Sequence, residues 1–453
     1  MIRLTKNREG STIPSLDALI LFILVLARVR IDTLAQLVLP QRHQDVALLP
    51  ITSLLLSPKA QELLRDWLTD PLSLLLISTT FGFLAFYFVV DTLRPRLYNL
   101  KLGIIFGIIF STVIAESLLY VMLRHQAGPA SYTHDGGVIQ TEEAIKFFRS
   151  GKNPYIEDYT NTPMAEWGLD YRTALYHYPY LPWTFIFPWP FYEAFKAALG
   201  WYDQRFVYLF LFLLTLILAS FLPSRPEDRL KLVAVLGLNP IMGSDVIFGQ
   251  NDSFVLFWVV LSLWCLVRKS KVASSISLAL ACASKPTAWF FAPFYFLYLW
   301  RENRRELFRP LIAFVLVFSA LVLPFLLWSP EAMVDDIWRW AAGTAKVSYQ
   351  IRGWGVANFI LALGLVESRL SYFPFWILEV AFGLPLAIGL GLRLYRSPSL
   401  KVALWAYGLT LFVFFYFSRF LNENYLGYIL AIMALGYWLG DSALTKTTAR
   451  ESS

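Results

Sequence analysis

Long apolar runs, separated by shorter polar segments, repeat along most of this sequence. Twelve such runs can be delimited, and most contain roughly 15 to 22 residues, close to the ~20 residues that a helix needs to cross a bilayer. The pattern predicts an all-α, polytopic integral membrane protein with about 11–13 transmembrane helices. The runs are residues 13–30, 71–91, 102–123, 205–222, 231–248, 253–267, 272–284, 287–300, 310–328, 373–391, 402–418 and 425–440.

Two gaps between the runs are long: residues 124–204, here called the first loop, and residues 329–372, here called the second loop. Both mix apolar, aromatic and charged residues, which predicts amphipathic helices lying at the membrane surface. Segment 31–70 has a similar mixture and no complete run. The run 231–248 contains Pro240 and Gly243 and is predicted to be broken, which is tolerated at membrane depth only against protein or a wet cavity.

Lys and Arg cluster in seven short segments. Cytoplasmic loops retain these residues because their translocation across the membrane is unfavourable. If the N-terminus is cytoplasmic, the twelve runs place all seven clusters on one side, so both termini are predicted to be cytoplasmic and both long loops non-cytoplasmic. The clusters are Arg3, Lys6 and Arg8; Arg94, Arg96 and Lys101; Arg225, Arg229 and Lys231; Arg268, Lys269 and Lys271; Arg301, Arg304, Arg305 and Arg309; Arg393, Arg396 and Lys401; and Lys446 and Arg450.

The composition fits one membrane-embedded unit over residues 1–453, since 57% of the residues are hydrophobic and 16% are charged. The net charge of +7 is explained by basic loops that meet anionic lipids, so no nucleic-acid partner is predicted. Cys265 and Cys282 lie in apolar runs and are predicted to be buried free thiols. The run 13–30 is interpreted as a retained signal-anchor helix, because Arg28-Val29-Arg30 stands where a cleavage site would be.

The first loop carries a candidate catalytic carboxylate, Asp135, which is followed by two glycines. A carboxylate on such a turn at the membrane edge can be held in place and still reach a substrate. Asp135 is also well suited to cap a helix that begins near Val138, and the residues alone favour this compatible interpretation without excluding catalysis. Glu142 and Glu143 follow on the same predicted helix, where a solvated face is expected. The aromatic residues of both loops suit either an interfacial belt or a groove that stacks on sugars.

Further polar candidates lie at the same predicted side. Lys285 and Arg419 stand at helix ends and can either bind an anion or extend to the interface. Residues 250–252 form a polar Gln-Asn-Asp turn, for which a structural role is favoured. His134 and His177 have no ligand partner at metal-binding spacing, so no metal site and no cofactor are predicted, although metal dependence stays open. The absence of any phosphate-binding loop or dinucleotide fingerprint disfavours a nucleotide-sugar donor.

The order of several motifs resembles the polytopic glycosyltransferases of the C superfamily. Asp135 precedes a helix, Gly151-Lys152-Asn153-Pro154-Tyr155 and a Tyr/Pro-rich stretch at 176–183, and residues 249–252, 285–286 and 419–425 match in turn. The branch is similar to the alpha-mannosyltransferases of the phosphatidylinositol-mannoside and glycosylphosphatidylinositol pathways and their prokaryotic relatives. Unlike members with an Asp-x-Asp or Glu-x-Asp pair, this chain has Gly-Gly after Asp135, which argues against a metal-dependent mechanism.

The resemblance implies transfer of a hexose, mannose foremost, from a polyprenyl-phosphate sugar to a glycolipid or glycan acceptor on the non-cytoplasmic face. It favours Asp135 as general base. The leaving phosphate requires a cation, and the predicted ligands are Lys285 and Arg419 at outer helix ends, with Arg352 beside Gly353 as a third candidate. Substrate contacts, direct or through a neighbour, are predicted for His134, Tyr155, His177, Tyr178, Gln250, Asn251, Asp252, Asn422 and Glu423. A transporter or flippase of a lipid-linked saccharide and a glycan polymerase or ligase remain alternatives.

A prokaryotic plasma membrane is the preferred location. The reason is that the one N-glycosylation sequon, Asn251-Asp252-Ser253, lies too close to a predicted span to be used. Besides the sugar donor and the acceptor, membrane lipids are predicted partners of the protein.

Overall fold

The computed structural model describes residues 14–166 and 173–439, and it confirms the all-α prediction. Arg3, Lys6, Arg8, Lys446 and Arg450 of the basic clusters lie outside the described residues. Cys265 and Cys282 are both buried and free, as predicted.

The α-helices follow one another with short connections outside the two long loops. Those before the first loop, together with one that enters it, are Leu16–Val38, Arg42–Leu48, Pro50–Leu55, Pro58–Leu63, Pro71–Leu93, Tyr98–Ile109 and Ala115–Ala127. The next group is Gln140–Arg149, Trp183–Ile186, Trp189–Leu199, Arg205–Ala219, Pro226–Gly237, Pro240–Phe248, Asp252–Val267, Lys271–Cys282 and Phe291–Glu302. The last group is Phe308–Trp328, Pro330–Val334, Trp340–Ala342, Ala357–Ala362, Phe375–Leu378, Leu384–Arg396, Leu400–Phe417 and Glu423–Trp438.

Irregular turns interrupt or extend several of these helices. The 3₁₀ turns are Pro163–Glu166, Thr173–Tyr176, Pro286–Phe290 and Arg304–Glu306. The π-helical turns are Phe110–Ile114, Asp135–Ile139, Asp335–Arg339 and Glu379–Gly383. Turns of the π type occur frequently at functional sites, and three of them contribute to the cavity described below. The described residues contain two strands, Arg352–Gly353 and Phe420–Leu421, which pair in parallel.

Five helical segments of the described chain are long and apolar enough to cross a membrane, or six if one bent pair counts as a single span. The helix Phe308–Trp328 shows the environment most clearly, because only Pro310, Val322 and Phe325 of its residues are buried. An apolar helix with so few buried residues is stable in lipid and would aggregate in water. The chain is therefore an integral membrane protein, and the count of 11–13 spans stays a prediction.

The run 231–248 is broken in the structure, as predicted. The helices Pro226–Gly237 and Pro240–Phe248 meet at an angle of 49°. Asn239 caps the second helix through bonds from the Ile241 and Met242 amides, both 3.2 Å, and donates to Gly427 O at 2.8 Å. The second helix is capped at its C-terminal end by Gly249, directly before the candidate Gln-Asn-Asp turn.

The first loop has a buried aromatic core of its own. Tyr155, Tyr178 and Phe185 pack edge to face, with ring centroids 5.7 to 6.4 Å apart. Phe325 of the helix Phe308–Trp328 joins them, at 5.3 Å from Phe185. Offset and edge-to-face aromatic pairs are favourable beyond the area that they bury. The first loop is thereby fixed against the helix that leads into the second loop.

Candidate active site

A cavity of about 1150 Å³ lies where the two loops meet the ends of several helices. Nine of the thirteen residues that the sequence singles out line it, and they come from five separate segments of the chain. Aromatic residues of both loops and of neighbouring helices line it as well, which is typical of pockets that bind organic ligands. The nine residues are His134, Asp135, Gln250, Asn251, Lys285, Arg352, Arg419, Asn422 and Glu423.

Asp135 opens a π-helical turn at the edge of this cavity. Its side chain is 20% exposed, and its Oδ1 atom accepts a hydrogen bond of 2.6 Å from the Gly136 amide. The residue that caps the turn is His134, whose Nδ1 accepts from Gly137 N at 3.3 Å, so the interpretation of Asp135 as the cap is wrong. The carboxylate is therefore held by its own turn with one side open to the cavity.

The two glycines after Asp135 are explained by close packing. A Cβ atom at Gly137 would lie 1.9 Å from Gly249 O, and one at Gly136 would lie 2.8 Å from the Tyr180 hydroxyl. Gly249 itself has a φ of +89°, a conformation that glycine adopts most readily. The Asp135 turn thus rests directly on the turn that carries Gln250 and Asn251.

A buried ion-pair network supports the Asp135 turn from behind. Arg124 binds Glu142 through two bonds of 2.9 and 2.8 Å and Asp203 through one of 2.9 Å. Arg205 contacts Asp203 and donates to Tyr132 O at 2.8 Å. Although burial opposes it, the two arginines lower the pKa of Asp203 on balance. Glu142 is buried, so the predicted solvated face is wrong there.

Glu143 departs from the predicted solvated face in the same way. It is buried and pairs with Lys146 at 2.5 Å. The helix Gln140–Arg149 therefore turns its acidic residues toward protein.

Lys285 lines the cavity but is already paired. Its Nζ atom lies 2.8 Å from Asp252 Oδ1 and 3.2 Å from Asn251 Oδ1. Asn424 donates to the other oxygen of Asp252 at 2.6 Å. The Lys285 ammonium also stands 5.0 Å from the Tyr425 ring centroid. This buried pair joins the 250–252 turn to the end of the helix Lys271–Cys282 and to the last helix.

Arg419 is 1% exposed and binds backbone carbonyls of the second loop. Its Nε donates to Tyr349 O at 2.5 Å, Nη1 to Ser371 O at 2.9 Å and Nη2 to Arg369 O at 3.3 Å. Burial lowers the pKa of Arg419 to about 10, so it remains charged at neutral pH. Among the described residues Arg419 has no carboxylate within ion-pair distance.

The strand pair places Arg352 in the cavity beside Asn422. Arg352 lies opposite Phe420 in the parallel register, and Asn422 donates to the Tyr349 hydroxyl at 3.1 Å. Burial raises the pKa of Tyr349, and the charge of Arg352 opposes this rise. The Arg352 guanidinium and the Tyr349 hydroxyl are therefore close neighbours on the cavity wall.

The remaining predicted residues do not line the cavity. Asp252 lies behind Lys285, while Tyr155 and Tyr178 belong to the aromatic core of the first loop. His177 is buried between the loops, with Nδ1 2.8 Å from Asp336 Oδ1 and Nε2 2.8 Å from Val347 O. These contacts give the four residues supporting positions, and whether any of them affects substrate binding stays a prediction.

His177, Asp335 and Asp336 are the described group whose atoms could hold a metal ion. Both ring nitrogens of His177 already face oxygen atoms, and the Tyr178 amide donates to Asp336 at 2.8 Å. Burial raises the pKa of Asp336 to about 6, although the bond from His177 acts in the opposite direction. The group is satisfied as a contact between the two loops.

The cavity residues that sequence reasoning did not assign to the site include Tyr180, Tyr349, Arg369 and Glu379. A signal for Glu379 was present, since it is the one charged residue in the predicted span 373–391, and intramembrane ionisable residues are functional candidates by default. Arg369 had no such signal, because a basic residue in a long polar loop is ordinary. Tyr180 and Tyr349 were hidden among the many aromatic residues of the two loops.

The comparisons with known proteins bear on the region around the cavity. A family model described as glycosyltransferase family 87 matches residues 176–418, which is more than half of the chain. The matched range contains Lys285 and Arg352, begins after Asp135 and ends one residue before Arg419. Comparison with curated proteins and comparison with solved structures each gave no match.

Proposed function

Because the chain belongs to glycosyltransferase family 87, we propose that it moves a hexose, mannose foremost, from a polyprenyl-phosphate donor to a lipid-linked or glycan acceptor. Asp135 is the proposed general base. One observation carries the proposal: an accessible carboxylate and several cations line a single cavity, at the ends of membrane helices. A donor with a charged head and an apolar tail requires that combination.

Among the acidic residues near the cavity, Asp135 is best suited to accept a proton. Asp252 is fully buried and neutralised by Lys285. Glu379 lies within a candidate membrane span, and Glu423 begins the last helix. Asp135 stands instead on a tight turn, with Oδ1 bonded to the Gly136 amide. Its Oδ2 atom is then the proposed acceptor, within reach of a hydroxyl group in the cavity.

The proposed reaction is a direct displacement. The acceptor hydroxyl oxygen forms a bond to the anomeric carbon while its proton passes to Asp135. The bond between that carbon and the phosphate oxygen breaks, and polyprenyl phosphate leaves with the electron pair. Negative charge grows on the leaving phosphate, so fixed cations stabilise the transition state more than the ground state.

The proposal also includes an orientation and a location. The basic clusters favour a cytoplasmic face opposite the cavity, so the reaction is proposed to occur on the non-cytoplasmic side of a prokaryotic plasma membrane. No metal ion or other cofactor is part of the proposal. The aromatic residues Trp338, Trp340 and Trp354 line the cavity and are suited to stack on a sugar ring.

The test uses the purified wild-type protein in lipid nanodiscs. Polyprenyl-phosphate mannose and polyprenyl-phosphate glucose, each labelled in the sugar, are supplied with a lipid extract of the expressing membranes as acceptor. Release of polyprenyl phosphate together with a labelled glycolipid supports the proposal, and a preference for mannose supports the finer assignment. Movement of the intact donor across a vesicle bilayer without release would support the transporter instead.

A further inference from the structure

Among the residues that the structure describes, four cations line the cavity: Lys285, Arg352, Arg369 and Arg419. The donor of the proposed function carries a phosphate, and a phosphate is recognised by cations whose N–H groups are free to donate. The four side chains differ in how many of their N–H groups already donate hydrogen bonds to protein atoms. The difference assigns separate roles to them.

We infer that Arg352 and Arg369 bind the donor phosphate and that Arg419 is a positioning residue, which holds the backbone that carries both of them. This inference rests on the proposed function, since it names the phosphate subsite of the same cavity. It also redistributes the phosphate ligands that the sequence predicts, because Lys285 and Arg419 become supporting residues.

Lys285 has little capacity left for an anion. Its charge is balanced by Asp252 at 2.8 Å, and Asn251 accepts a second bond. The side chain is 8% exposed and that of Asp252 is fully buried. Drawing the ammonium away toward a phosphate would leave the Asp252 carboxylate buried and unpaired, which is strongly unfavourable. Lys285 therefore serves to hold the 250–252 turn.

Arg419 has no room for an anion. All three of its nitrogens donate to carbonyls of residues 349, 369 and 371. The backbone of Gly343, with a φ of +83°, covers the guanidinium so closely that a Cβ there would lie 2.4 Å from Nη1. An almost fully buried fork that is bonded on each nitrogen cannot turn toward a ligand without releasing the loop.

The carbonyls that Arg419 binds belong to the segments that carry the other two arginines. Arg369 O accepts from the Arg419 side chain and, at 2.7 Å, from the Ile351 amide. The Arg352 amide donates to Arg419 O at 3.3 Å. The backbone at Arg352 and the backbone at Arg369 are therefore held together through Arg419, although these residues lie seventeen positions apart in the sequence, and both side chains line the same cavity.

Arg352 and Arg369 remain available to a ligand. Arg352 is half-buried and Arg369 is exposed, and neither forms an ion pair with a carboxylate among residues 14–166 and 173–439. Two guanidinium groups that line one cavity can grip one phosphate through several N–H bonds. The unbalanced positive charge of Arg419 beneath them adds to the attraction.

The experiment compares substitutions at the three positions by steady-state kinetics with polyprenyl-phosphate mannose. R352Q and R369Q are each expected to raise the donor KM by at least about tenfold, the loss of one hydrogen bond to a charged group. R352K should recover part of the loss, because a lysine still supplies a point charge. R419K should recover nothing over R419Q, because one nitrogen cannot replace three.

The matched control is R339Q, in the same loop. Arg339 pairs loosely with Glu331 and Asp335 at 3.6 and 3.7 Å and is not among the cavity-lining residues. R339Q should therefore leave the donor KM unchanged. The second readout is the rate of amide hydrogen exchange over residues 349–371. This rate should rise in R419K and stay at the wild-type level in R352Q.

Two outcomes overturn the inference. An unchanged donor KM in both R352Q and R369Q removes them from the subsite. A donor KM that R419K restores toward the wild-type value, with normal hydrogen exchange, would mean that Arg419 itself binds the donor phosphate. If the wild-type protein does not consume the donor, the proposed function fails, and binding of polyprenyl phosphate alone to the same variants then decides the subsite. Equal binding by wild type and R352Q would reject it.

Discussion

At the scale of single residues, burial and pairing decide which polar groups near the cavity can act on a substrate. Asp135 and Asp252 are both aspartates at helix starts, but Asp252 is fully buried against Lys285 and Asp135 is partly open. Charge alone does not separate them. The separation comes from the partners, because a paired, desolvated charge is expensive to disturb.

Lys285→Gln is expected to destabilise the protein by about 3–5 kcal/mol, since Asp252 is left buried and unpaired. The double variant Lys285→Gln with Asp252→Asn should recover much of this loss. The thermal melting temperature of purified, monodisperse protein is the measurement. Lys152→Gln is the control, because the Lys152–Glu157 pair is exposed and pairs of that kind contribute little. A normal melting temperature in Lys285→Gln would mean that the pair is not structural.

The sequence could indicate Lys285 and Arg419 because a polar residue at the end of an apolar run is conspicuous, and Asp135 because two glycines follow it in the first loop. It could not indicate their partners. Asp252 is 33 positions from Lys285, and the carbonyls that Arg419 binds are 48 to 70 positions away. Hydrogen bonds to a backbone carbonyl require no particular side chain at the accepting position. Such contacts leave no trace in a single sequence.

At the scale of elements, the site depends on two turns that touch through glycine. Gly137 of the π-helical turn and Gly249 after the bent helix approach so closely that neither position has room for a Cβ. Tyr208 adds a bond of 2.6 Å from its hydroxyl to Gly137 O. The position of Asp135 is therefore set by backbone contact, which is stiffer than contact between long side chains.

Gly137→Ala is expected to displace the Asp135 turn, because its Cβ would meet the Gly249 carbonyl. Transfer activity per folded molecule should fall at least about tenfold, since misplacement of a catalytic group by about 1 Å is costly. Gly103→Ala is the control, because no atom lies within 4 Å of its added Cβ. Full specific activity of Gly137→Ala would show that the close approach is not required.

Most helices of the twelve apolar runs could be predicted within a few residues, since apolar length and turn residues mark them well. The predicted run 402–418, for example, is the helix Leu400–Phe417. The strands Arg352–Gly353 and Phe420–Leu421 could not be predicted, because two residues carry no periodicity. The short helices Arg205–Ala219 and Lys271–Cys282 have 15 and 12 residues, so their apolar runs alone do not establish that each crosses the bilayer.

At the scale of the whole molecule, apolar surface, the polar cavity and the basic clusters lie in different parts of the structure. Helices such as Phe308–Trp328 expose apolar surface to lipid, while the cavity residues collect where the two loops meet. The described basic clusters lie at the opposite ends of the helices. Arg301, for example, is in the last turn of the helix Phe291–Glu302, and Arg304 follows that helix. A single orientation in the membrane satisfies this arrangement.

Cysteine labelling tests that orientation. Lys152→Cys in the first loop is expected to react with a membrane-impermeant maleimide on intact cells. Arg304→Cys should react only after permeabilisation. Native Cys265 and Cys282 are buried and provide a low background, which the unsubstituted protein measures directly. Labelling of both variants from the same face would contradict the proposed topology.

The central claim is that Asp135 acts as the base of glycosyl transfer, and Asp135→Asn tests it most directly. The measurement is turnover of polyprenyl-phosphate mannose, together with binding of the donor, in the wild type, in Asp135→Asn and in the exposed control Asp158→Asn of the same loop. We predict that Asp135→Asn lowers turnover at least about a hundredfold, with donor binding retained and the control normal. Near-normal turnover in Asp135→Asn would contradict the claim.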